Sequence, residues 1–138
     1  MKVLVLCTGN SCRSQIAEGY LRQMGPDNIL VRSAGVESHG LNPRAVEVMK
    51  EDGINISGHT SNQLDEYGEI DFDFVITVCD NAREKCPYYP ASVKQLHQDF
   101  PDPAKATGTE EEIMDQFRQV RGMIKDYVGK FLKNNVLV

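Results

Sequence analysis

No stretch of this 138-residue sequence approaches the roughly 20 consecutive apolar residues that a membrane span requires. Its start also lacks the basic residues, apolar stretch and small-residue cleavage site of a secretion signal. These absences lead us to expect a soluble, cytoplasmic protein with no membrane partner. Basic charge is scarce too: 15 Lys and Arg stand against 20 Asp and Glu, a formal net charge of −5. That balance speaks against a nucleic-acid partner held by a basic face, because neutralising phosphates needs clustered cations. An anionic ligand must therefore be captured by a local device. The four cysteines are few for a disulfide scaffold, and none of their spacings is the Cys-x-x-Cys pair of a zinc knuckle. No repeat, low-complexity tract or linker interrupts the chain, and 41% apolar residues suffice for one sizeable core. One domain over residues 1–138, acting as a monomer, is expected.

Val3-Leu4-Val5-Leu6 is an unbroken apolar run, the pattern of a strand buried on both faces of a parallel sheet. A polar turn follows, and then Ser14 is placed to N-cap a helix from about Gln15 to Met24, with Ile16, Ala17, Tyr20 and Leu21 on one face. Ile29 to Ser33 reads as a second strand. Asn42-Pro43 is an N-cap with proline at the first helical position, and Gly53 closes that helix. Phe72 to Val78 reads as a third buried strand and Val93 to Phe100 as a weaker fourth. Thr109 and Glu112 have the form of a capping box, after which Ile113, Phe117, Val120, Ile124, Tyr127, Val128 and Phe131 recur at helical spacing. Strands alternating with helices predict an α/β domain: a four-stranded, mostly parallel sheet flanked by helices in a Rossmann-like three-layer arrangement. Ligands of such sheets bind at the carboxyl ends of the strands, where Cys7 and Cys79 both fall.

Cys7-Thr8-Gly9-Asn10-Ser11-Cys12-Arg13-Ser14 is a strand-to-helix loop of small residues. Such loops turn successive backbone N–H groups inward as a nest for a tetrahedral oxyanion, so residues 8 to 13 are the candidate oxyanion-binding set. Gly9 is expected to permit the backbone geometry, and Arg13 offers a planar fork for two oxyanion oxygens. The same amides and helix dipole should lower the pKa of Cys7, whose thiolate is the nucleophile. Ser14 is placed to donate to that sulfur, whereas Cys12 reads mainly as structural. A core cysteine beside a surface arginine is the competing account. It fits poorly with Gly, Asn and Ser filling the gap, since Cys-x5-Arg between a buried strand and a helix is a signature of phosphatase-like loops.

From Cys7 through Ala17-Glu18, the sequence resembles the active-site loop of the low-molecular-weight protein tyrosine phosphatase superfamily. More closely, it resembles the thioredoxin-coupled arsenate reductases built on that fold. The likeness runs on through Ser33-Ala34-Gly35, His39-Gly40, Asn42-Pro43, Ile56-Ser57, His59-Thr60-Ser61, Val78-Cys79, Lys85-Cys86-Pro87 and Asp102-Pro103-Ala104. It implies that Cys7 attacks the oxyanion while Arg13 and the loop amides hold its oxygens. Asp102 protonates the departing oxygen, which requires its pKa to be raised near the cleft. The resemblance further implies a relay. Cys79 attacks the Cys7–arsenic adduct, releasing arsenite and leaving a Cys7–Cys79 disulfide. Cys86 then attacks Cys79, and thioredoxin reduces the Cys79–Cys86 bond. Residues 80–85 read as a short helix that must unwind for this, because two cysteines with Cα atoms more than about 7 Å apart cannot bond.

The implied substrate is arsenate, with phosphate or sulfate as analogues, and the implied role is detoxification and arsenical resistance. The alternatives are a low-molecular-weight phosphatase working through a Cys7 phosphocysteine, and a noncatalytic anion-binding or redox-sensing module. Phosphatases of this type follow Asp-Pro with tyrosines that stack on an aryl phosphate, whereas Ala104 and Lys105 stand here. Tyr88-Tyr89 lie instead near Cys86 and read as packing or partner-contact residues. No tightly bound cofactor is expected. Some relatives bind potassium, and the resemblance places Asn10, Glu18, Ser33 and Asn62 at those positions. The expected aspartate is replaced by Asn62, which removes charge from a cation site. His39, His59 and His97 are too scattered in sequence to read as ligands and are assigned turn or surface roles.

Overall fold

Val3, Leu4, Val5 and Leu6 are fully buried, as an unbroken apolar run must be when helices cover both faces of its sheet. In the computed structural model, which describes residues 1–87 and 89–136, they lie in β1, Lys2–Cys7. The other strands are β2, Leu30–Gly35, β3, Phe74–Thr77, and β4, Lys94–His97. All pairings are parallel and the strand order is β2-β1-β3-β4. The chain steps from β1 to one side for β2 and returns across β1 for β3, so the direction of winding reverses between β1 and β3. Open α/β sheets bind ligands at the carboxyl end of such a reversal, where β1 ends on Cys7.

Four helices flank the sheet: α1, Arg13–Met24, α2, Pro43–Glu51, α3, Asp80–Lys85, and α4, Glu110–Asn135. Ile16, Ala17, Tyr20 and Leu21 of α1 are buried, as are Phe117, Val120, Ile124, Val128 and Phe131 of α4. The two helices pack together, with α2 against both. Phe131 meets Phe74 of β3 edge to face at 5.1 Å, tying α4 to the sheet. The expected caps form: Asn42 Oδ1 accepts from Arg44 N at 2.8 Å, and Thr109 with Glu112 makes a reciprocal capping box.

Three expectations about the elements are corrected. Helix α1 begins at Arg13, two residues early, and its N-cap is Cys12 without a side-chain cap bond. Ser14 lies inside the first turn, where its hydroxyl accepts from Asn10 Nδ2 at 2.8 Å and is committed to the loop before it. Strand β3 ends at Thr77, so Cys79 is the N-cap of α3 and not a strand end. The backbone nevertheless stays in line, with Val78 N donating to Leu6 O at 2.9 Å. Strand β4 is shorter than the expected Val93 to Phe100, although Gln98 N and Phe100 N still donate to Thr77 O and Val78 O at 3.0 and 3.1 Å. No helix among the described residues is long and apolar enough to cross a membrane.

Candidate active site

Between β1 and α1 the loop of residues 8–12 has one residue in the left-handed region, Asn10, at φ +48°. Asn is among the few non-glycine residues that tolerate this conformation. Here its completely buried side chain is also fully used. Its Nδ2 donates to Ser14 Oγ (2.8 Å) and Ser33 Oγ (2.9 Å), and its Oδ1 accepts from Asn62 N (2.7 Å). The buried Gln15 amide adds bonds to Asn10 O and Thr60 O, both at 3.0 Å. The loop is thus braced from behind. Gly9 has a different role from the expected one, since the left-handed turn falls on Asn10. A Cβ on Gly9 would collide with the His39 ring, so this glycine exists to let an imidazole lie against the loop.

In front of the loop is a cavity of about 260 Å³ lined by Cys7, Thr8, Arg13, His39, Asp102 and Lys105, among others. Asn10 does not line it. Arg13 is buried beside it: Nη1 donates to Phe100 O at 2.9 Å and Nη2 lies 3.7 Å from Asp102 Oδ2. Its Nε is the one buried side-chain nitrogen or oxygen among the described residues without a hydrogen-bond partner. Asp102 also accepts from Ala104 N at 3.0 Å, which starts a 3-10 turn over Pro103–Lys105. A larger groove of about 610 Å³ runs past Lys85 and Pro87. Its walls, Leu64, Tyr67, Ile70, Phe72 and Tyr89, are mostly apolar, so the smaller cavity is the one equipped for an anion. Tyr89 packs there against the core, whereas Tyr88 lies outside the described residues.

Beneath the cavity the thiol of Cys7 hydrogen-bonds to Cys79. The lowering of Cys7 expected from the loop amides and helix dipole is opposed by this contact and by burial. By donating to Cys79, and by its burial, Cys7 is held well above the usual thiol range, with Arg13 opposing. Cys79 is drawn down to about 5 by the Cys7 thiol against the effect of burial, with Thr8 and Ala82 adding to the lowering. Ala82 N lies 3.4 Å from Cys79 Sγ and Thr8 Oγ1 lies 3.3 Å away. Because Asn81 Nδ2 donates to that hydroxyl oxygen at 3.0 Å, the Thr8 proton is left for the sulfur. One thiolate per chain, detected by its ultraviolet absorbance, should be present at pH 7 and be lost as pH falls through about 5. Cys79→Ser is expected to abolish that step, and retention of the step would place the charge elsewhere.

The remaining cysteines are free as well. Burial pushes Cys12 up to about 11, and its sulfur lies 3.8 Å from Ser11 Oγ. Cys86 is the half-buried C-cap of α3, and burial raises its pKa too. Separated from Cys79 by all of α3, its Cα stands about 10 Å away at the helical rise, beyond disulfide reach.

The four residues expected to hold potassium do come together, but as a network closed by protein groups. Ser33 Oγ donates to Glu18 Oε1, while Arg22 donates to Glu18 Oε2 at 2.8 Å and neutralises it. Asn62 turns its side chain to Thr60 and Glu66. With the carboxylate paired to a guanidinium and the amide facing elsewhere, these residues do not fit a potassium cage. Among the described residues no group of three or more His, Cys, Asp or Glu is placed to hold a metal.

Several site residues were not read from the sequence. His39, an exposed loop residue, also lines the cavity, with Nε2 2.6 Å from Glu37 Oε2. His59 is drawn inward, with Nδ1 3.0 Å from Gln15 Oε1. Lys105 supplies a cation at the cavity mouth. Thr8, read as a loop amide, uses its hydroxyl on Cys79. Apart from the His39–Glu37 pair, these contacts join residues of separate elements, so no pattern along the chain marks them.

The chain matches the family of low molecular weight phosphotyrosine protein phosphatases over residues 2–136. It is 49% identical over 131 residues to an arsenate reductase of Oceanobacillus iheyensis, covering 95% of this chain and 94% of the relative. Among solved structures, it is similar to an arsenate reductase in the phosphate binding state, with a TM-score of 0.73 and 32% identity over 96% of this chain and 97% of the other. It is also similar to a low molecular weight protein tyrosine phosphatase from T. tengcongensis, with a TM-score of 0.80 and 26% identity over 97% and 99% of the two chains. A parallel sheet of order 2-1-3-4, a braced Cys-x5-Arg loop at its winding reversal and a match across nearly the whole sequence converge on one assignment: the chain belongs to the low molecular weight phosphotyrosine protein phosphatase family, alongside relatives that bear the name arsenate reductase.

Proposed function

We propose that this protein reduces arsenate to arsenite through Cys7, Cys79 and Cys86, and that thioredoxin restores the thiols. The observation that carries the reading is a second cysteine, Cys79, set beside Cys7 at the foot of the anion cavity, with the Thr8 hydroxyl 3.3 Å and the Ala82 amide 3.4 Å from its sulfur. A phosphatase finishes with water and has no use for a second thiol there. The identity to relatives named arsenate reductase points the same way.

In this reading arsenate enters the 260 Å³ cavity. Its oxygens take the inward amides of residues 8 to 13 and the free Nε–H of Arg13. The proton of Cys7 passes to Cys79, to which it already points. Cys7 thiolate attacks arsenic, and an arsenic-bound hydroxyl leaves as water with a proton from Asp102. Cys79, once its proton is lost to solvent, attacks the Cys7 sulfur. The sulfur–arsenic bond breaks with its electron pair left on arsenic, so As(V) becomes As(III) and a Cys7–Cys79 disulfide remains. Helix α3 then unwinds, Cys86 thiolate attacks Cys79, and Cys7 is released as a thiolate. Reduction of Cys79–Cys86 by a dithiol protein returns the resting state. The thiol chemistry suits a reducing, cytoplasmic setting.

Mixing the protein with arsenate, thioredoxin, thioredoxin reductase and NADPH should give arsenate-dependent NADPH oxidation, weakened by competing phosphate. Absence of that oxidation alongside brisk aryl phosphate hydrolysis would establish the phosphatase reading instead.

A further inference from the structure

The reductase reading requires α3 to be folded while Cys79 is a thiolate and to open once Cys79 is oxidised. A six-residue helix is far shorter than the roughly 12–15 residues that hold together unaided, so contacts from outside decide whether α3 exists. Its internal pair, Asp80 with Arg83 at 3.9 Å, has both side chains 60% exposed and contributes little.

The outside contacts converge on Asp80. His97, the last residue of β4, places Nε2 2.7 Å from Asp80 Oδ1 and Nδ1 2.8 Å from Thr77 Oγ1. Facing a carboxylate, Nε2 must carry the hydrogen, and the Thr77 hydroxyl serves Nδ1. Two residues on, Asp99 Oδ1 accepts the Asp80 N–H at 3.2 Å. One short segment therefore grips both the side chain and the backbone of Asp80. Its continuation presents Phe100 O and Asp102 to Arg13. The turn so held positions Asn81 on Thr8 and the Ala82 amide on Cys79.

We propose that His97 is a positioning residue for the relay: through Asp80 it holds the first turn of α3 so that the Ala82 amide and the Thr8 hydroxyl stay on the Cys79 sulfur. While Cys79 is an anion, these donors and the His97 clasp support the helix together. When the Cys7–Cys79 disulfide forms, the charge on sulfur disappears and its charge-assisted bonds weaken. The clasp alone remains, and α3 can unwind to deliver Cys86. This inference rests on the relay reading only for its purpose, since the clasp itself is testable without arsenate.

The test compares the reduced protein with His97→Ala and His97→Gln, the latter keeping an N–H at the reach of Nε2. For His97→Ala, amide hydrogen exchange of residues 82–86 should quicken about tenfold or more, as expected for losing a hydrogen bond to a charged group. Amides of β1 and β3 should be unchanged, and the Cys79 thiolate titration should move upward from about 5. His97→Gln should restore both signals. Unaltered α3 exchange and Cys79 titration in His97→Ala would overturn the proposal. So would an equal loss of protection across the sheet, which would mark His97 as a general packing residue, or a failure of His97→Gln to rescue. Failure of the arsenate assay with these signals intact would remove the reductase reading and leave the clasp standing.

Discussion

Replacing Cys86 by serine is expected to leave one round of arsenite release per chain and then nothing. The first two thiols, Cys7 and Cys79, interact directly beneath the cavity, and the whole of α3 lies beyond them. Cys86 sits at the far end of α3, where burial keeps it protonated in the folded helix. Without it, the Cys7–Cys79 disulfide has no internal route outward, and thioredoxin-dependent NADPH oxidation should fall to background. Rapid quench with arsenate would count the arsenite released, and peptide mapping would locate the bond at Cys7–Cys79. Normal cycling of Cys86→Ser with thioredoxin would refute the relay. A variant that releases no arsenite at all would show that Cys86 acts in the first reduction, which the geometry of α3 opposes.

Arg13→Lys should lower kcat/KM for arsenate by about 10²–10³-fold, the scale of removing an aligned donor from an oxyanion site, or about 2.7–4 kcal/mol. Lysine keeps the charge but has no planar fork, so it cannot hold Phe100 O while also offering the Nε–H that is now unpaired. It also withdraws the partner that stands 3.7 Å from Asp102. A change of threefold or less, with an unaltered circular dichroism spectrum, would show that charge alone serves and that the fork has no special use. Inhibition by phosphate should weaken in parallel, because the same donors hold either tetrahedral oxyanion.

Much of the architecture was legible along the chain, for reasons local to each segment. The apolar run of β1 implied burial on both faces, Asn42-Pro43 and Thr109-Glu112 marked helix starts by their hydrogen-bonding chemistry, and the period of α4 showed its buried face. Helix α3 was placed at residues 80–85 because it lies between two cysteines in a polar stretch. The limits of β3 and β4 were less legible, since a strand ends where its partner ceases to pair and not where its apolar residues stop. Ser14 misled because a hydroxyl before a helix has two possible employers, and the loop engaged it first.

The sequence by itself determined the type of chemistry: a cysteine and an arginine spaced around a small-residue loop, two further cysteines spaced around a short helix, and an aspartate before proline. Only the tertiary structure decided what surrounds each sulfur. Parallel pairing of β1 with β3 sets Cys79 against Cys7 across 72 residues, with Thr8, Asn81 and Ala82 arranged around the second sulfur. The same pairing carries β4 alongside β3 and thereby brings His97 to Asp80 and Phe100 to Arg13. Ionisation follows the hydrogen-bond donors and burial that surround a group in space, and neither can be read from its neighbours along the chain.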